Sequence, residues 1–91
     1  MLVARRFVVS GRVQGVGFRY FAAEAAAVEG LSGWVRNRDD GAVEMAVEGD
    51  AEAVVRFERK IRRGPPAARV EDVVAEDGVP SGRPAGFRVD A

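Results

Sequence analysis

The sequence contains no cysteine, no histidine and no threonine. Without cysteine it has no disulfide, no thiolate nucleophile and no thiolate metal site, and without histidine it has no imidazole base and no histidine-bound zinc. Its only aliphatic hydroxyl groups belong to Ser10, Ser32 and Ser81. None of these serines stands in a recognisable motif for covalent catalysis, which needs a nucleophile beside a base. These absences argue against metal-dependent and covalent chemistry.

The chain also lacks an excess of charge and lacks long apolar runs. Fourteen basic and fourteen acidic residues give zero net charge, which argues against a general nucleic-acid binder. No apolar run approaches the length of a membrane span, and no basic segment precedes an apolar signal core. We therefore expect one domain over residues 1–91, located in the cytoplasm, monomeric, and without nucleic-acid or membrane partners.

The glycine-rich stretch from Gly11 to Arg19 lies between an apolar run and an alanine-rich run, which is typical of a loop joining a strand to a helix. Gly11, Gly15 and Gly17 allow positive φ and leave the backbone N–H groups accessible. No residue that favours an N-cap precedes the helix, and Arg19 lies in its first turn. This pattern predicts an anion site, although a tight turn with a solvated arginine fits the residues equally well.

Hydrophobic periodicity predicts the remaining elements. Alternating apolar residues predict strands over 3–10, 31–37, 42–48 and 70–76, with a short strand over 87–89 at a sheet edge and a loop over 77–86. Helical spacing predicts one helix over 18–29 that stops at Gly30, and a second that Asp50 caps and Gly64-Pro65-Pro66 ends. The order β-α-β-β-α-β plus a last strand predicts an α+β, ferredoxin-like split βαβ fold. In this fold two helices cover one face of an antiparallel sheet.

The expected core consists of the apolar residues that share one face of each element. They are Phe7 and Val9 in the first strand, Phe18, Phe21, Ala22, Ala25 and Val28 in the first helix, and Val54, Phe57 and Ile61 in the second.

Two stretches resemble the signatures of the acylphosphatase family. The first is Val13-Gln14-Gly15-Val16-Gly17-Phe18-Arg19. The second is Gly33-Trp34-Val35-Arg36-Asn37, followed by Gly41, Val43 and Gly49 at the spacing of that family. Both occur in the expected order and on the expected elements, so the resemblance covers essentially the whole chain.

The resemblance implies an enzyme that hydrolyses the carboxyl–phosphate bond of small acyl phosphates without metal or cofactor. It implies that Arg19 and the amides of Gly15, Val16, Gly17, Phe18 and Arg19 bind the phosphoryl group. It also implies that Asn37 positions the attacking water. Inorganic phosphate and sulfate are expected to compete for this cradle. Arg38 departs from the family pattern, in which a small hydroxylated residue often follows the asparagine.

The chemistry of these residue types is compatible with that reaction. Phosphoryl transfer through a loose transition state needs mainly positioning and charge stabilisation. Asn37 cannot act as a base because a neutral amide takes up no proton, but it can orient water, and a phosphate oxygen can accept the proton. An asparagine at this position could also serve only to form the turn that follows.

Three alternative functions remain open from the sequence. An RNA-binding module is one, because residues 15–21 resemble the glycine-aromatic motif of RNA-recognition domains; Val16 replaces an aromatic residue there, and Trp34 stands among carboxylates. The arginine-rich end of the second helix is also compatible with nucleic acid, although such a run more often complements the helix dipole. A regulatory domain and a ligand sensor on the same fold are the other two.

Overall fold

A computed structural model describes residues 1–82 and 86–91 of the chain. Its elements are β1 (Leu2–Arg12), α1 (Phe18–Glu29), β2 (Ser32–Asn37), β3 (Val43–Asp50), α2 (Ala51–Arg63), β4 (Arg69–Gly78) and β5 (Phe87–Val89). Neither α1 nor α2, the helices of the described residues, could span a membrane.

The five strands form one sheet in the order β4-β1-β3-β2-β5, with the two helices packed on it. The predicted ferredoxin-like fold is confirmed, and β5 lies at an edge of the sheet as expected. The four long strands are antiparallel, whereas β5 runs parallel to β2, so the sheet is mixed. Strand β4 runs opposite to β2, and the chain reverses direction again between β4 and β5. Strand β5 therefore runs in the same direction as β2.

Strand β1 is longer than predicted and includes Gly11 and Arg12. Its pairing with β4 shifts register between Ser10 and Gly11, and Gly11 has a φ of 123°. A Cβ atom on Gly11 would lie 2.2 Å from the carbonyl oxygen of Arg69. Gly11 therefore serves close strand pairing rather than the loop to which we assigned it, and the loop proper is residues 13–17.

The boundaries of the other long strands also differ from the predictions, and β3 spans Val43–Asp50 rather than 42–48. Strand β4 continues through Asp77 and Gly78, which we placed in a loop, because these residues pair with Arg5 and Ala4 of β1. Strand β2 begins at Ser32 rather than Leu31. Part of the predicted 77–86 loop, residues 83–85, lies outside the described residues.

Helix α1 has the predicted bounds, and Gly30 ends it with a φ of 68° while its amide donates to the carbonyls of Ala26 and Ala27. The core prediction for Val28 is wrong because that side chain is 69% exposed, and Ala26 is buried instead. Helix α2 begins and ends as predicted, since the Asp50 carboxylate accepts the amide of Glu52 and Gly64 follows its last turn.

Candidate active site

The candidate residues converge at one end of the sheet. Val43, the first residue of β3, pairs with Val9 of β1 on one side and with Asn37 of β2 on the other. Directly paired residues point to the same face, and both Val9 and Val43 are completely buried beneath the helices. The register therefore places Asn37 on the helix-covered face, at the end of the sheet where β1 continues into the 13–17 loop.

The 13–17 loop presents unoccupied backbone N–H groups at the start of α1. Gly17 is the N-cap residue, with a φ of 78°, and no side chain caps the helix. The amides of residues 15–19 donate to no acceptor in the described part of the chain. No acidic residue lies in the first turn to offset the positive end of the dipole. The predicted absence of a cap is confirmed, and the geometry suits a tetrahedral anion.

Arg19 is partly buried at the first turn of α1. Its Nη1 donates a hydrogen bond of 2.8 Å to the backbone carbonyl of Asp90, which follows β5. Among residues 1–82 and 86–91 it has no other hydrogen-bond or ion-pair partner. One donor thus orients the guanidinium, and four of its five N–H groups remain for a ligand.

Asn37 is the last residue of β2 and is partly buried. Its side chain makes no hydrogen bond within the described ranges. The turn after it is held by other groups: the Arg38 amide donates to the Ala42 carbonyl at 2.8 Å, and the Asp40 carboxylate accepts the Ala42 amide at 3.0 Å. The hydrogen bond from Ala42, helped by the nearby Arg38 guanidinium, lowers the pKa of Asp40. Asn37 is therefore not needed to close this turn.

Arg38 directs its guanidinium to the turn itself, where it forms an ion pair of 2.9 Å with Asp40. The charge that replaces the family's small hydroxylated residue is thus paired with a carboxylate.

Gln14 connects the loop to this turn, and our sequence reasoning did not single it out. Its Nε2 donates to the carbonyl oxygens of Arg38 at 2.7 Å and Ala42 at 3.0 Å. Gln14 is the only glutamine in the sequence and lies inside the first signature. That position is the one signal that could have drawn attention to it.

The face of the sheet that the helices leave open is built around Glu44. This carboxylate is only 3% exposed and is hydrogen-bonded by the guanidinium groups of Arg6 and Arg36. Burial alone raises the pKa of Glu44, but the hydrogen bonds and positive charges of Arg6 and Arg36 together outweigh it, and the net pKa is lowered. The second carboxylate of this face, Glu48, accepts hydrogen bonds from Ser81 and Gly82. Both carboxylates of this face are therefore hydrogen-bonded within the protein.

A depression of about 480 Å³ beside the open face reaches Asn37 and Arg38 and is lined also by Arg6, Arg36, Asp39, Asp40 and Glu44. Arg19 does not line it. Of the two predicted catalytic residues, only Asn37 therefore borders this depression. No group of three carboxylates able to hold a metal occurs in the described parts of the chain.

The acylphosphatase family model matches residues 5–89 of the chain. The chain belongs to the acylphosphatase family. An acylphosphatase of Koribacter versatilis is 45% identical over 86 residues, covering 94% of this chain and 78% of the relative. An acylphosphatase of Anaeromyxobacter dehalogenans is 49% identical over 87 residues, covering 96% of this chain and 94% of the relative. The crystal structure of acylphosphatase from Bacillus subtilis superimposes with a TM-score of 0.93 at 40% identity, covering all of both chains.

Family membership confirms the resemblance drawn from the two signatures. It also confirms the predicted function, acylphosphatase, and the predicted enzyme class, a hydrolase acting on acid anhydrides. The substrate is accordingly a small-molecule acyl phosphate. An RNA-binding or ligand-sensing role is not favoured.

Proposed function

We propose that this acylphosphatase hydrolyses its substrate by direct attack of water on phosphorus, without metal, cofactor or covalent intermediate. Arg19 and the amides of residues 15–19 bind the phosphoryl group, and Asn37 orients the water. Arg19 and Asn37 are the catalytic residues of the proposal. The observation that carries the proposal is the register of β1, β3 and β2, in which Asn37 lies on the helix-covered face at the end of the sheet where β1 continues into the loop.

The proposed role of the 13–17 loop is supported by its unused donors. Free amides at a helix start and a guanidinium with four unengaged N–H groups are all suited to phosphate oxygens. The Asp90 carbonyl orients Arg19 without neutralising it, because a backbone carbonyl carries no net charge. The site therefore keeps a full positive charge for the phosphoryl group, whose negative charge persists in the transition state.

The proposed role of Asn37 is supported by what its side chain does not do. The following turn is closed by Arg38, Asp40 and Ala42 together with Gln14. The side-chain amide oxygen of Asn37 is therefore available to accept a hydrogen bond from water. The turn-forming interpretation of Asn37 loses its main argument, since its side chain bonds to no described part of that turn.

The reaction then balances with few participants. The water oxygen forms a bond to phosphorus while the bond from phosphorus to the carboxyl oxygen breaks, and the carboxylate leaves with the bonding electron pair. A phosphoryl oxygen accepts the proton from water, so neither histidine nor an enzymic carboxylate is required. A carboxylate is a good leaving group, which explains why a site without a general acid suffices.

Hydrolysis of acetyl phosphate in water labelled with heavy oxygen tests this directly. The label is expected in inorganic phosphate and not in acetate, because phosphorus is the centre attacked. In a single turnover with enzyme in excess, no phosphorylated protein should be detected by mass spectrometry. Label in acetate, or a phosphorylated protein that forms and decays at the turnover rate, would contradict the proposal.

We further propose that the protein acts as a cytoplasmic monomer without a nucleic-acid or membrane partner. The balanced charge supports this, as does the pairing of Arg62 with Glu58 and of Lys60 with Glu29 at the arginine-rich end of α2. Titration with single-stranded RNA at low salt is expected to show no saturable binding, and sedimentation should give one species at the monomer mass.

A further inference from the structure

Gln14 makes the only side-chain hydrogen bonds between the 13–17 loop and the β2–β3 turn in the described part of the chain. Both of its partners are carbonyl oxygens, so the amide NH2 group must face them, and both of its protons are used. Val13, immediately before it, is buried in the core and anchors the base of the loop. The link therefore runs from an anchored point of the loop to the turn.

The two carbonyls that Gln14 binds are those that close the turn. The Ala42 oxygen also accepts the Arg38 amide at 2.8 Å, and the Arg38 oxygen also accepts the Gly41 amide at 3.2 Å. Each carbonyl thus has one acceptor position used within the turn and a second used by Gln14. Because Arg38 directly follows Asn37, Gln14 links the loop to the backbone next to Asn37.

We infer that Gln14 is a positioning residue that sets the distance between the phosphoryl cradle and the water held by Asn37. This inference rests on the proposed roles of the loop and of Asn37. Gln14 touches neither substrate nor water in this scheme; it joins the two elements that do. In-line attack requires the water and the phosphorus to be held in one geometry, and a displacement of about 1 Å can cost about a hundredfold in rate.

A double-mutant cycle tests the inference. Gln14→Met keeps the side-chain length but removes both donors, and we expect kcat to fall about 10- to 100-fold while the inhibition constant for inorganic phosphate changes less than about threefold. In an Asn37→Ala background the same change should alter kcat by less than about threefold, because the group it positions is already gone.

Two further variants serve as controls. Gln14→Asn retains a side-chain amide but is one methylene too short to reach both carbonyls, so we expect it to lower kcat as Gln14→Met does. It takes the place of Gln14→Met in the cycle if Gln14→Met folds poorly. Glu29→Gln weakens an ion pair with Arg56 at the opposite end of α1 and should leave kcat unchanged. Rates are expressed per folded molecule, with the folded fraction taken from thermal melts.

The outcomes separate this inference from the proposed function. If Asn37→Ala lowers kcat but Gln14→Met does not, or lowers it equally in both backgrounds, the positioning role is overturned and the proposed function stands. If Gln14→Met weakens phosphate binding as much as it lowers kcat, Gln14 shapes the cradle itself and the inference is wrong. If Asn37→Ala leaves kcat intact, the role of Asn37 fails and the inference fails with it.

Discussion

The guanidinium of Arg19 is hydrogen-bonded to the backbone carbonyl of Asp90 at 2.8 Å. The Asp90 amide in turn donates to the Val35 carbonyl at 2.8 Å, and Val35 lies on the same face of β2 as Asn37. Strand β2 therefore carries one of the proposed catalytic side chains and helps to hold the other. The positions of both residues therefore depend on the backbone of β2, although Arg19 itself belongs to α1.

Replacing Arg19 with Gln should reduce turnover below detection and weaken phosphate binding at the same time. Losing one preorganised donor costs about 2.7–4 kcal/mol of transition-state stabilisation, and losing a charged one costs more. Stability should change little, because the lost bond to Asp90, worth about 1 kcal/mol, is offset by removal of a cation from a helix N-terminus. Steady-state kinetics, phosphate inhibition and a thermal melt measure all three.

Arg19→Lys is the matched variant for this prediction. It keeps the charge but lacks the planar fork that can bond Asp90 and a phosphate together, so it should not restore turnover. Near-normal rates in either folded variant would remove Arg19 from the site.

Replacing Asn37 with Ala should separate chemistry from binding. The catalytic constant is expected to fall about 10²–10³-fold, by analogy with the loss of one transition-state hydrogen-bonding group. The phosphate inhibition constant should stay nearly constant because the loop and Arg19 are untouched. Stability should also stay near that of the wild type, since the Asn37 side chain bonds to none of the described residues.

Ser32→Ala, at the other end of β2, is a suitable control because the one hydrogen bond its hydroxyl makes to the described residues is a long one, 3.4 Å to the Glu48 carbonyl. Its kcat should equal that of the wild type. An Asn37→Ala protein that is destabilised yet turns over normally would mean that Asn37 is structural.

Inorganic phosphate and sulfate should inhibit competitively, because each is a tetrahedral anion that fits the loop amides and Arg19. Activity should persist in excess EDTA and after treatment with thiol reagents, since the sequence has neither cysteine nor histidine. Inhibition by EDTA that a divalent cation reverses would contradict the metal-free proposal, and non-competitive inhibition by phosphate would place the anion site elsewhere.

Replacing Glu44 with Gln tests the open face of the sheet. At neutral pH the change should cost about 1.5–3 kcal/mol of unfolding free energy, the range for hydrogen bonds to charged groups. The pKa of Glu44 is lowered in the folded state, so its contribution is complete above the unfolded value of about 4.3 and is lost as pH falls through the lower folded value. The difference in unfolding free energy between wild type and Glu44→Gln should therefore shrink as the pH falls below the pKa of Glu44 in the unfolded state.

Urea unfolding of both proteins over a series of pH values isolates this effect, because every other carboxylate is common to the two. A difference that stays constant to the most acidic pH at which both fold would show that the Glu44 charge contributes nothing. The catalytic constant should be unaffected, since the Glu44 carboxylate is hydrogen-bonded to Arg6 and Arg36 and not to Arg19 or Asn37.

Local patterns in the sequence were sufficient for most of the fold. Helix α1 begins and ends where its spacing and Gly30 indicate, and Asp50 caps α2 as its residue type predicts. The exception within α1 is instructive. Val28 fits the apolar stripe but is exposed, whereas Ala26 is buried in the core, because packing against other elements decides which side of a stripe is covered.

The sequence by itself determined the family, the element order and the residues proposed for catalysis, because signatures, turns and caps are encoded by residues close together in the chain. Only the tertiary structure revealed the links between these elements. Gln14 meets Arg38 across 24 residues, Arg6 meets Glu44 across 38, and Arg19 meets Asp90 across 71. Such contacts depend on strand register and on the parallel pairing of β5, which are set by how the whole core packs. Neither can be predicted from the hydrophobic periodicity of a short stretch of sequence.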